Sequence, residues 1–321
     1  MFQLLFGPES ANFLGALGPL VTFVISILLI AVLKEKLPRD GGRNFAHDGA
    51  LSAGKPRGTG LIFILVFDVA VLIYAPFHLE YVIYLVLITI EMITGFLDDA
   101  SKIPWTGVKK GIMDFGVALI CAVNYLWFNE NTFVLAFFKT TVTLPVWLYG
   151  ILIVALVWGA INVTNCADGV DGLSSTLALV SLGCIYLVGD KLQMMGDFKS
   201  LILMFGACLL AYLWFNSTPS ILMMGDAGSR AMGAFLAIAV LKSGDPILFI
   251  PLALVLILDG GLGLLKISLI RLTKNRNVMN KIRTPLHDHV RKLMGWSNTQ
   301  TVYRFAIIQM IIGAMVVLFL Y

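Results

Sequence analysis

The sequence predicts an all-α, polytopic integral membrane protein with about ten transmembrane helices. Its 321 residues are 59% hydrophobic and only 13% charged, and the mean hydropathy is +0.89, well above the range of soluble domains. Apolar windows of about 20 residues, the length that crosses about 30 Å of hydrocarbon, recur along the whole chain. We expect one transmembrane domain that covers residues 1–321.

The predicted spans are continuous apolar runs. Strands of a membrane barrel would instead alternate over about ten residues, so helices are the expected element. The first span is interpreted as a retained helix because no small-residue cleavage site follows it. The spans are residues 13–33, 59–76, 79–97, 111–129, 146–164, 173–189, 200–216, 230–243, 247–270 and 302–320.

Basic residues are unevenly divided between the two ends of these helices. Cytoplasmic loops of membrane proteins carry the positive excess. Of the 23 Lys and Arg residues, all fall at one face except Lys139, Lys191, Lys199 and Lys242. The pattern predicts extracytoplasmic termini, and it predicts that loops 34–58, 98–110, 165–172, 217–229 and 271–301 face the cytoplasm.

Charge and cysteine spacing exclude other classes of protein. The formal net charge of +4 comes from basic residues beside the membrane, where they would meet anionic lipid headgroups rather than nucleic acid. The cysteines have no CxxC spacing, and three of them lie within spans, so neither a disulfide nor a zinc site is expected. They are Cys121, Cys166, Cys184 and Cys208.

Three acidic motifs interrupt the apolar chain, all on the predicted cytoplasmic face. A carboxylate near hydrocarbon costs about 2.5–3.5 kcal/mol on insertion scales, and it usually lines a wet cavity or holds an ion. The motifs therefore mark the candidate active site. They are Phe96-Leu97-Asp98-Asp99, Asn165-Cys166-Ala167-Asp168-Gly169-Val170-Asp171-Gly172 and Met224-Gly225-Asp226-Ala227-Gly228-Ser229.

Two of these motifs are candidate cation sites. On a helix the side chains of Asp98 and Asp99 would point about 100° apart, so that one faces a metal and the other a second group. Alternatively, the two residues mark the end of a helix in water. Asp226 either caps the following helix or binds a cation. Hard oxygen ligands, few per site, suit Mg²⁺ shared with substrate phosphates.

The middle motif has three interpretations. If the preceding helix continued, Asp168 and Asp171 would share one stripe with Asn162 and Asn165. The glycines favour a turn that approaches a nucleotide or phosphate closely. The third interpretation is an N-cap for the next span.

The loop 271–301 contains Thr284-Pro285-Leu286-His287-Asp288-His289. The two histidines do not share a helix face, and no third nitrogen or thiolate ligand is near, so zinc is not expected. Recognition of a phosphate or sugar by histidine and arginine, including Arg283, is the preferred interpretation.

Further acidic residues lie within the predicted spans. Asp68 and Glu91 are expected to pair internally, and Asp114 is placed near the cytoplasmic site because it follows Lys110 closely. A cation-coupled transporter that uses Asp68, Glu91 and Asp259 is the alternative from another class. It is disfavoured because most carboxylates lie at one face and no inverted repeat is evident.

These motifs, together with residues 285–296, resemble in order and spacing the signatures of the polyprenyl-phosphate N-acetylhexosamine-1-phosphate transferases. The C-terminal loop resembles the phospho-N-acetylmuramoyl-pentapeptide transferase branch, and the similarity covers nearly the whole chain. The resemblance implies Mg²⁺-dependent transfer of phospho-MurNAc-pentapeptide from its UDP carrier to undecaprenyl phosphate, giving lipid I and UMP, in the bacterial cytoplasmic membrane. Sister branches imply UDP-GlcNAc as the alternative donor. The oligomeric state is open, with a homodimer as one candidate.

The resemblance also implies roles for individual residues. Asp226 matches the metal ligand, Asp98 and Asp99 match an acidic pair in which Asp98 is a proposed base, and Lys110 matches a lysine near the phosphates. His287 is expected to be catalytic. The substrate-binding residues are expected to be Asn162, Asn165, Asp168, Asp171, Arg283 and His289, with Lys55 and Arg57.

Two departures from the family pattern stand out. The usual run of three histidines is His287-Asp288-His289 here, which lacks the central histidine. The usual Gly-Thr-Pro-Thr-Met-Gly-Gly loop is Gly54-Lys55-Pro56-Arg57-Gly58-Thr59-Gly60. We expect Lys55 and Arg57 to grip the substrate diphosphate instead.

Overall fold

The computed structural model describes residues 11–42, 52–275 and 277–320, apart from the side chains of residues 11–14. The helices in these ranges are α1 (Ala11–Leu33), α2 (Gly60–Tyr74), α3 (Leu79–Asp99), α4 (Gly107–Phe128), α5 (Val146–Ala167), α6 (Leu173–Lys191), α7 (Phe198–Asn216), α8 (Gly225–Lys242), α9 (Phe249–Leu252), α10 (Leu254–Thr273), α11 (Leu286–Met294) and α12 (Asn298–Leu320).

Each predicted span contains a helix. Over the described residues, seven helices are long and apolar enough to cross a membrane, and the bent pair α9 and α10 would make eight. Helix α2 is shorter, at 15 residues, and α8 carries three charged side chains within 18 residues. The protein is therefore a mostly helical, multi-pass membrane protein.

The outer helices present large apolar side chains to the surroundings. Water-soluble proteins rarely expose so much contiguous apolar surface, so this surface is suited to lipid. Examples that are more than half exposed are Leu20, Val69, Trp127, Trp147, Trp214 and Leu318.

Helix α8 lies at the centre of the bundle. Every residue from Gly225 to Leu241 is buried, and the helix packs against α2, α3, α5, α6 and α7. Its many glycines and alanines allow neighbouring backbones to approach closely, as is usual at helix interfaces in membranes. The start of α8 is therefore held from several sides.

Helices α9 and α10 meet at a bend of 88°. The bend frees backbone groups from their usual partners, which is costly away from water. Gln309 of α12 compensates: its Nε2 donates to the carbonyls of Pro251 and Leu252 at 3.1 and 2.9 Å, and its Oε1 accepts from Val255 N–H at 2.8 Å. The bent pair is thus fixed by a neighbouring helix.

The structure is mostly helical, as predicted, and it contains one hairpin that was not predicted. Strands β1 (Thr132–Leu135) and β2 (Thr140–Thr143) form an antiparallel hairpin between α4 and α5, with Thr132 opposite Thr143. The hairpin lies outside the predicted spans, where short β-branched segments pair their own backbone groups. The connection from α10 to α12 also contains an unpredicted helix, α11.

Candidate active site

Two glycines allow the end of α3 and the start of α8 to touch. A Cβ atom added at Gly95 would come within 3.0 Å of the Asp226 backbone, and one at Gly225 would collide with the Asp99 carboxylate. Gly225 also has a φ of 69°, which residues with a side chain rarely adopt. Two of the acidic motifs are thereby brought into direct contact.

The Asp99 carboxylate is buried at this contact. Its Oδ1 and Oδ2 accept hydrogen bonds from the backbone N–H groups of Asp226 and Ala227, at 3.1 and 3.2 Å. N–H groups in the first turn of a helix have no acceptor within the helix, and the helix dipole favours a negative charge there. Asp99 therefore caps α8 from another helix.

Lys110 lies between the other two carboxylates. Its Nζ is 2.5 Å from Asp98 Oδ2 and 2.7 Å from Asp226 Oδ2. The second oxygen of Asp98 accepts a hydrogen bond from Trp105 N–H at 2.6 Å. Side chains from α3, α4 and α8 thus meet at one cation.

Arg57 contacts three carboxylates at the same place. Its Nε is 2.8 Å from Asp99 Oδ1, Nη1 is 3.2 Å from Asp40 Oδ1, and Nη2 is 3.2 Å from Asp226 Oδ1. Burial disfavours the charged guanidinium, but Asp99, Asp226 and Asp40 outweigh burial and raise the pKa of Arg57 above its ordinary value. The arginine therefore stays charged.

The group formed by Asp40, Asp98, Asp99, Asp226, Arg57 and Lys110 is called the carboxylate cluster here. Its four carboxylates face two cations, which leaves a formal excess of two negative charges. Buried excess charge is costly unless it is neutralised. One divalent cation would carry the matching charge.

The oxygen ligands of the cluster fit Mg²⁺. Among the described residues, no group of three or more His, Cys, Asp or Glu side chains is arranged to hold a metal by itself. Protein-bound Mg²⁺ usually takes one or two carboxylates and completes its shell with water and substrate phosphates. Asp98 and Asp226 already converge on one cation, the Lys110 ammonium, so their oxygens form a suitable pair.

A second charged layer lies deeper in the bundle. Arg230, four residues after Asp226, pairs with Glu91 at 2.8 Å and with Asp114. Asn162 Nδ2 donates to Asp114 at 3.1 Å. Internal pairing of Glu91 agrees with the prediction. Asp114, which was expected near the cytoplasmic site, belongs to this layer and not to the carboxylate cluster. Asn162, which was expected to bind substrate, lies in this layer as well, because its amide hydrogen-bonds Asp114.

The middle acidic motif forms a turn. Helix α5 ends at Ala167, which rules out a continued helical stripe. Asp168 Oδ1 accepts from Ser174 Oγ at 2.6 Å, and Asp171 Oδ2 accepts from Ser220 N–H at 3.1 Å. The N-cap position of α6 is Gly172, with a φ of 80°, and not one of the aspartates. The segment is therefore a turn, as its glycines indicate, and its close approach to a nucleotide or phosphate stays a prediction.

A cavity of about 760 Å³ opens beside this turn, a size typical of small-molecule sites. Lys55 lines it, with Nζ 2.9 Å from Ser220 Oγ and 3.9 Å from Asp171 Oδ2. Asn165 also lines it and donates to Ser229 Oγ of α8 at 2.9 Å. The predicted catalytic residue His287 is on its wall, together with the predicted substrate-binding residues Lys55, Asn165, Asp168, Asp171 and Arg283.

His287 is fixed by Asp259, which the sequence did not assign to the site. Its backbone N–H donates to Asp259 Oδ1 at 2.7 Å, and its Nδ1 is 2.8 Å from Oδ2. The opposite ring nitrogen, Nε2, lies against Gly169 at the cavity. Burial disfavours the imidazolium, but Asp259 outweighs burial and raises the pKa of His287 above its ordinary value.

The other two residues of the histidine motif have different surroundings. Asp288 Oδ2 pairs with Lys292 at 3.0 Å, one turn along α11, and Asp288 lines the cavity. His289 Nδ1 accepts from the Arg283 backbone N–H at 3.1 Å and is absent from the cavity wall. His289 thus holds the loop, because positions i and i+2 of a helix face different directions.

Three expectations need correction or addition. Arg57 does not line the cavity, because the acidic residues of the cluster hold its guanidinium. Asp259, expected to be an intramembrane acid, pairs with His287. Asp40 was not predicted to belong to the site, because nothing in the sequence marks it except that it lies in the same loop as Arg57.

The chain is similar in sequence to known proteins. The model of glycosyl transferase family 4 matches residues 81–244. The phospho-N-acetylmuramoyl-pentapeptide-transferase of Treponema pallidum (strain Nichols) is 38% identical over 303 residues, which cover 88% of this chain and 83% of the relative. The chain belongs to the phospho-N-acetylmuramoyl-pentapeptide transferase family.

More distant members of this family also match over most of their length. The transferase of Chlorobium chlorochromatii (strain CaD3) is 28% identical over 320 residues, covering 89% of this chain and 85% of the relative. That of Bartonella quintana (strain Toulouse) is 28% identical over 320 residues, covering 92% and 88%. The family match therefore includes both the carboxylate cluster and the cavity.

Proposed function

We propose that the protein transfers phospho-MurNAc-pentapeptide from UDP-MurNAc-pentapeptide to undecaprenyl phosphate, giving lipid I and UMP. Membership of the transferase family supports the reaction. The site assignment rests on the carboxylate cluster of α3, α4 and α8 and on the polar cavity beside it. Asn165 on the cavity wall joins the two, because its side chain hydrogen-bonds the Asp226 carboxylate.

We propose that the site lies at the cytoplasmic face of the bacterial cytoplasmic membrane. The soluble donor is highly charged and the acceptor is anchored in lipid, so they can meet at the membrane boundary. The distribution of Lys and Arg supports this side, with both termini outside and ten spans. The orientation can be tested with a single cysteine added in the loop 98–110 and a thiol reagent that does not cross membranes. Labelling of this cysteine in sealed cells, without permeabilisation, would contradict the proposed orientation.

The cavity is proposed to hold the donor. Lys55 and Arg283 on its wall would offset the charge of the diphosphate, and Asn165, Asp168 and Asp171 would accept or donate hydrogen bonds to the nucleotide and sugar. Arg291 and Lys292 line the same cavity near Asp288. Its basic and hydrogen-bonding side chains together suit a polar, negatively charged ligand.

Catalysis is proposed to rest on positioning and charge relief. An oxygen of the lipid phosphate attacks the β-phosphorus of the donor, the bond from that phosphorus to the bridging oxygen breaks, and UMP leaves with the electron pair. Lys110 stabilises negative charge on the phosphates, and Asp98, at 2.5 Å from Lys110, keeps the ammonium in place and is placed to accept a proton from the acceptor phosphate.

We propose that Asp226 holds Mg²⁺. The ion would neutralise the diphosphate and reduce repulsion between the two anionic substrates. The charge excess of the carboxylate cluster supports a divalent ion. Asp226→Asn should lower turnover at least about 100-fold with little change in thermal stability; retained turnover would remove Asp226 from this role.

One assay tests directly which donor substrate the protein uses. UMP release in detergent is measured with undecaprenyl phosphate and either UDP-MurNAc-pentapeptide or UDP-GlcNAc. We expect release with the muramoyl donor alone. Release with UDP-GlcNAc alone would move the protein to the sister branch, and a burst of UMP from donor without acceptor would show a covalent intermediate instead of direct attack.

A further inference from the structure

Arg57 lies within the carboxylate cluster and outside the donor cavity. Its guanidinium contacts Asp40, Asp99 and Asp226, whereas Lys55, two residues earlier, faces the cavity. A substrate phosphate would have to displace carboxylates from Arg57. The contacts therefore argue against a role in gripping the diphosphate.

We propose that Arg57 is a built-in counter-ion that positions Asp99 and Asp226 and weakens the binding of a divalent cation to the carboxylate cluster. This inference rests on the proposed function, because it assumes that the cluster holds Mg²⁺. It assigns to Arg57 a positioning role in place of a substrate contact.

The contacts of Asp226 explain why Arg57 should strongly weaken the binding of a divalent cation. Arg57 Nη2 is at Oδ1 and Lys110 Nζ is at Oδ2, so both oxygens of the proposed metal ligand already face a positive charge. A divalent ion bound to Asp226 would lie within a few ångströms of the guanidinium and be repelled by it. Before the ion arrives, the same guanidinium keeps Asp99 and Asp226 from repelling each other.

The backbone keeps Arg57 from moving away. Its N–H donates to Pro38 O at 2.8 Å, and Met223 N–H donates to Pro56 O at 2.8 Å, which ties the loop to the residues before α8. The side chain is only 17% exposed. Arg57 is therefore a fixed charge in the cluster, unlike a lysine on a flexible stem.

The test is Mn²⁺ binding, measured by electron paramagnetic resonance on the full-length protein in detergent without substrate. Arg57→Met should tighten Mn²⁺ binding by about tenfold, since a unit charge a few ångströms away is lost. Arg57→Lys keeps a positive charge on a more flexible stem, so its Mn²⁺ affinity should lie between those of Arg57→Met and the unchanged protein. Lys55→Met, a matched loss of a cation outside the cluster, should change the affinity less than about twofold.

Turnover gives a second readout. In Arg57→Met we expect kcat to fall at least about tenfold while KM for the donor changes less than about twofold, because the carboxylates lose their alignment. A rise in donor KM at unchanged kcat would place Arg57 on the substrate and overturn the inference. Unchanged or weaker Mn²⁺ binding in Arg57→Met would overturn it as well.

The metal site itself is tested separately by Asp226→Asn, which should weaken Mn²⁺ binding at least about tenfold. If Asp226→Asn binds Mn²⁺ normally, the proposed metal ligand is wrong. If Asp226→Asn behaves as expected and Arg57→Met does not, the inference about Arg57 alone fails. Should Arg57→Met not be recovered as folded protein, Arg57→Gln gives the same comparison, because it keeps a hydrogen-bond donor and removes the charge.

Discussion

Replacing Asp259 with asparagine should impair turnover although Asp259 is fully buried and is absent from the cavity wall. The carboxylate holds His287 through the backbone N–H at 2.7 Å and through Nδ1 at 2.8 Å. Asparagine keeps one acceptor oxygen but loses the charge that orients the imidazole, and losing such an orienting partner typically costs about 10- to 100-fold in activity. We expect kcat to fall by about this factor.

The pH dependence of Asp259→Asn distinguishes orientation from general damage. Asp259 raises the pKa of His287 above its ordinary value of 6.5, so the imidazolium, and the stability it contributes, is fully present below 6.5 and is lost as pH rises through the raised value. In Asp259→Asn this loss should begin at lower pH, measured from turnover and thermal unfolding across pH.

Two controls make the Asp259 result decisive. His287→Ala combined with Asp259→Asn should be no worse than His287→Ala alone, since the carboxylate acts through the histidine. Asp245→Asn neutralises a buried carboxylate that instead accepts from Ala136 N–H at 2.8 Å, next to the hairpin, and it should keep normal turnover. Additive losses in the double variant would refute the reasoning.

Three further outcomes follow from the site. Asp288→His, which restores the family residue, should be tolerated, because Asp288 lines the cavity and the ion pair that it gives up is with Lys292 of the same helix; loss of all turnover would show that the loop differs from that of its relatives. Gly95→Ala should lower the free energy of unfolding by about 1–3 kcal/mol and reduce turnover, because the added Cβ would push against the Asp226 backbone. The matched control Gly116→Ala, where the added Cβ meets open space, should be neutral or stabilising in thermal unfolding. Chelation of divalent ions should stop UMP release and Mg²⁺ should restore it; release that persists in excess chelator contradicts the Mg²⁺ proposal.

Sequence predicted the helical architecture well because hydrophobic length is a strong signal in membranes. The positions of all predicted spans agree with helices, and the acidic motifs mark the polar end of the bundle. The hairpin at Thr132–Thr143 and helix α11 were not predicted, since short elements outside the membrane depend on contacts that periodicity does not reveal.

Partners within the site were harder to predict than its members. Asp98, Asp99 and Asp226 stand out because carboxylates are rare near hydrocarbon. The pairing of Asp259 with His287, 28 residues apart in the chain, depends on the angle between α10 and α11. Arg57 was assigned to the substrate together with Lys55, but the two side chains have different partners: Lys55 is near Asp171, and Arg57 contacts Asp40, Asp99 and Asp226. These partners depend on how the loop packs against α3 and α8.

The buried ion pairs of Arg230 with Glu91 and Asp114 explain how apolar helices keep the residues of the carboxylate cluster aligned along their axes. Helices α3, α4 and α8 each give a residue to both layers: Glu91 lies seven residues before Asp98, Asp114 four after Lys110, and Arg230 four after Asp226. Each spacing keeps both side chains on one helix face. A slip by one turn would move a ligand by about 5.4 Å and also separate Arg230 from its carboxylates, leaving buried charge unpaired. The layer therefore opposes sliding between these helices, which apolar packing against lipid alone would resist weakly.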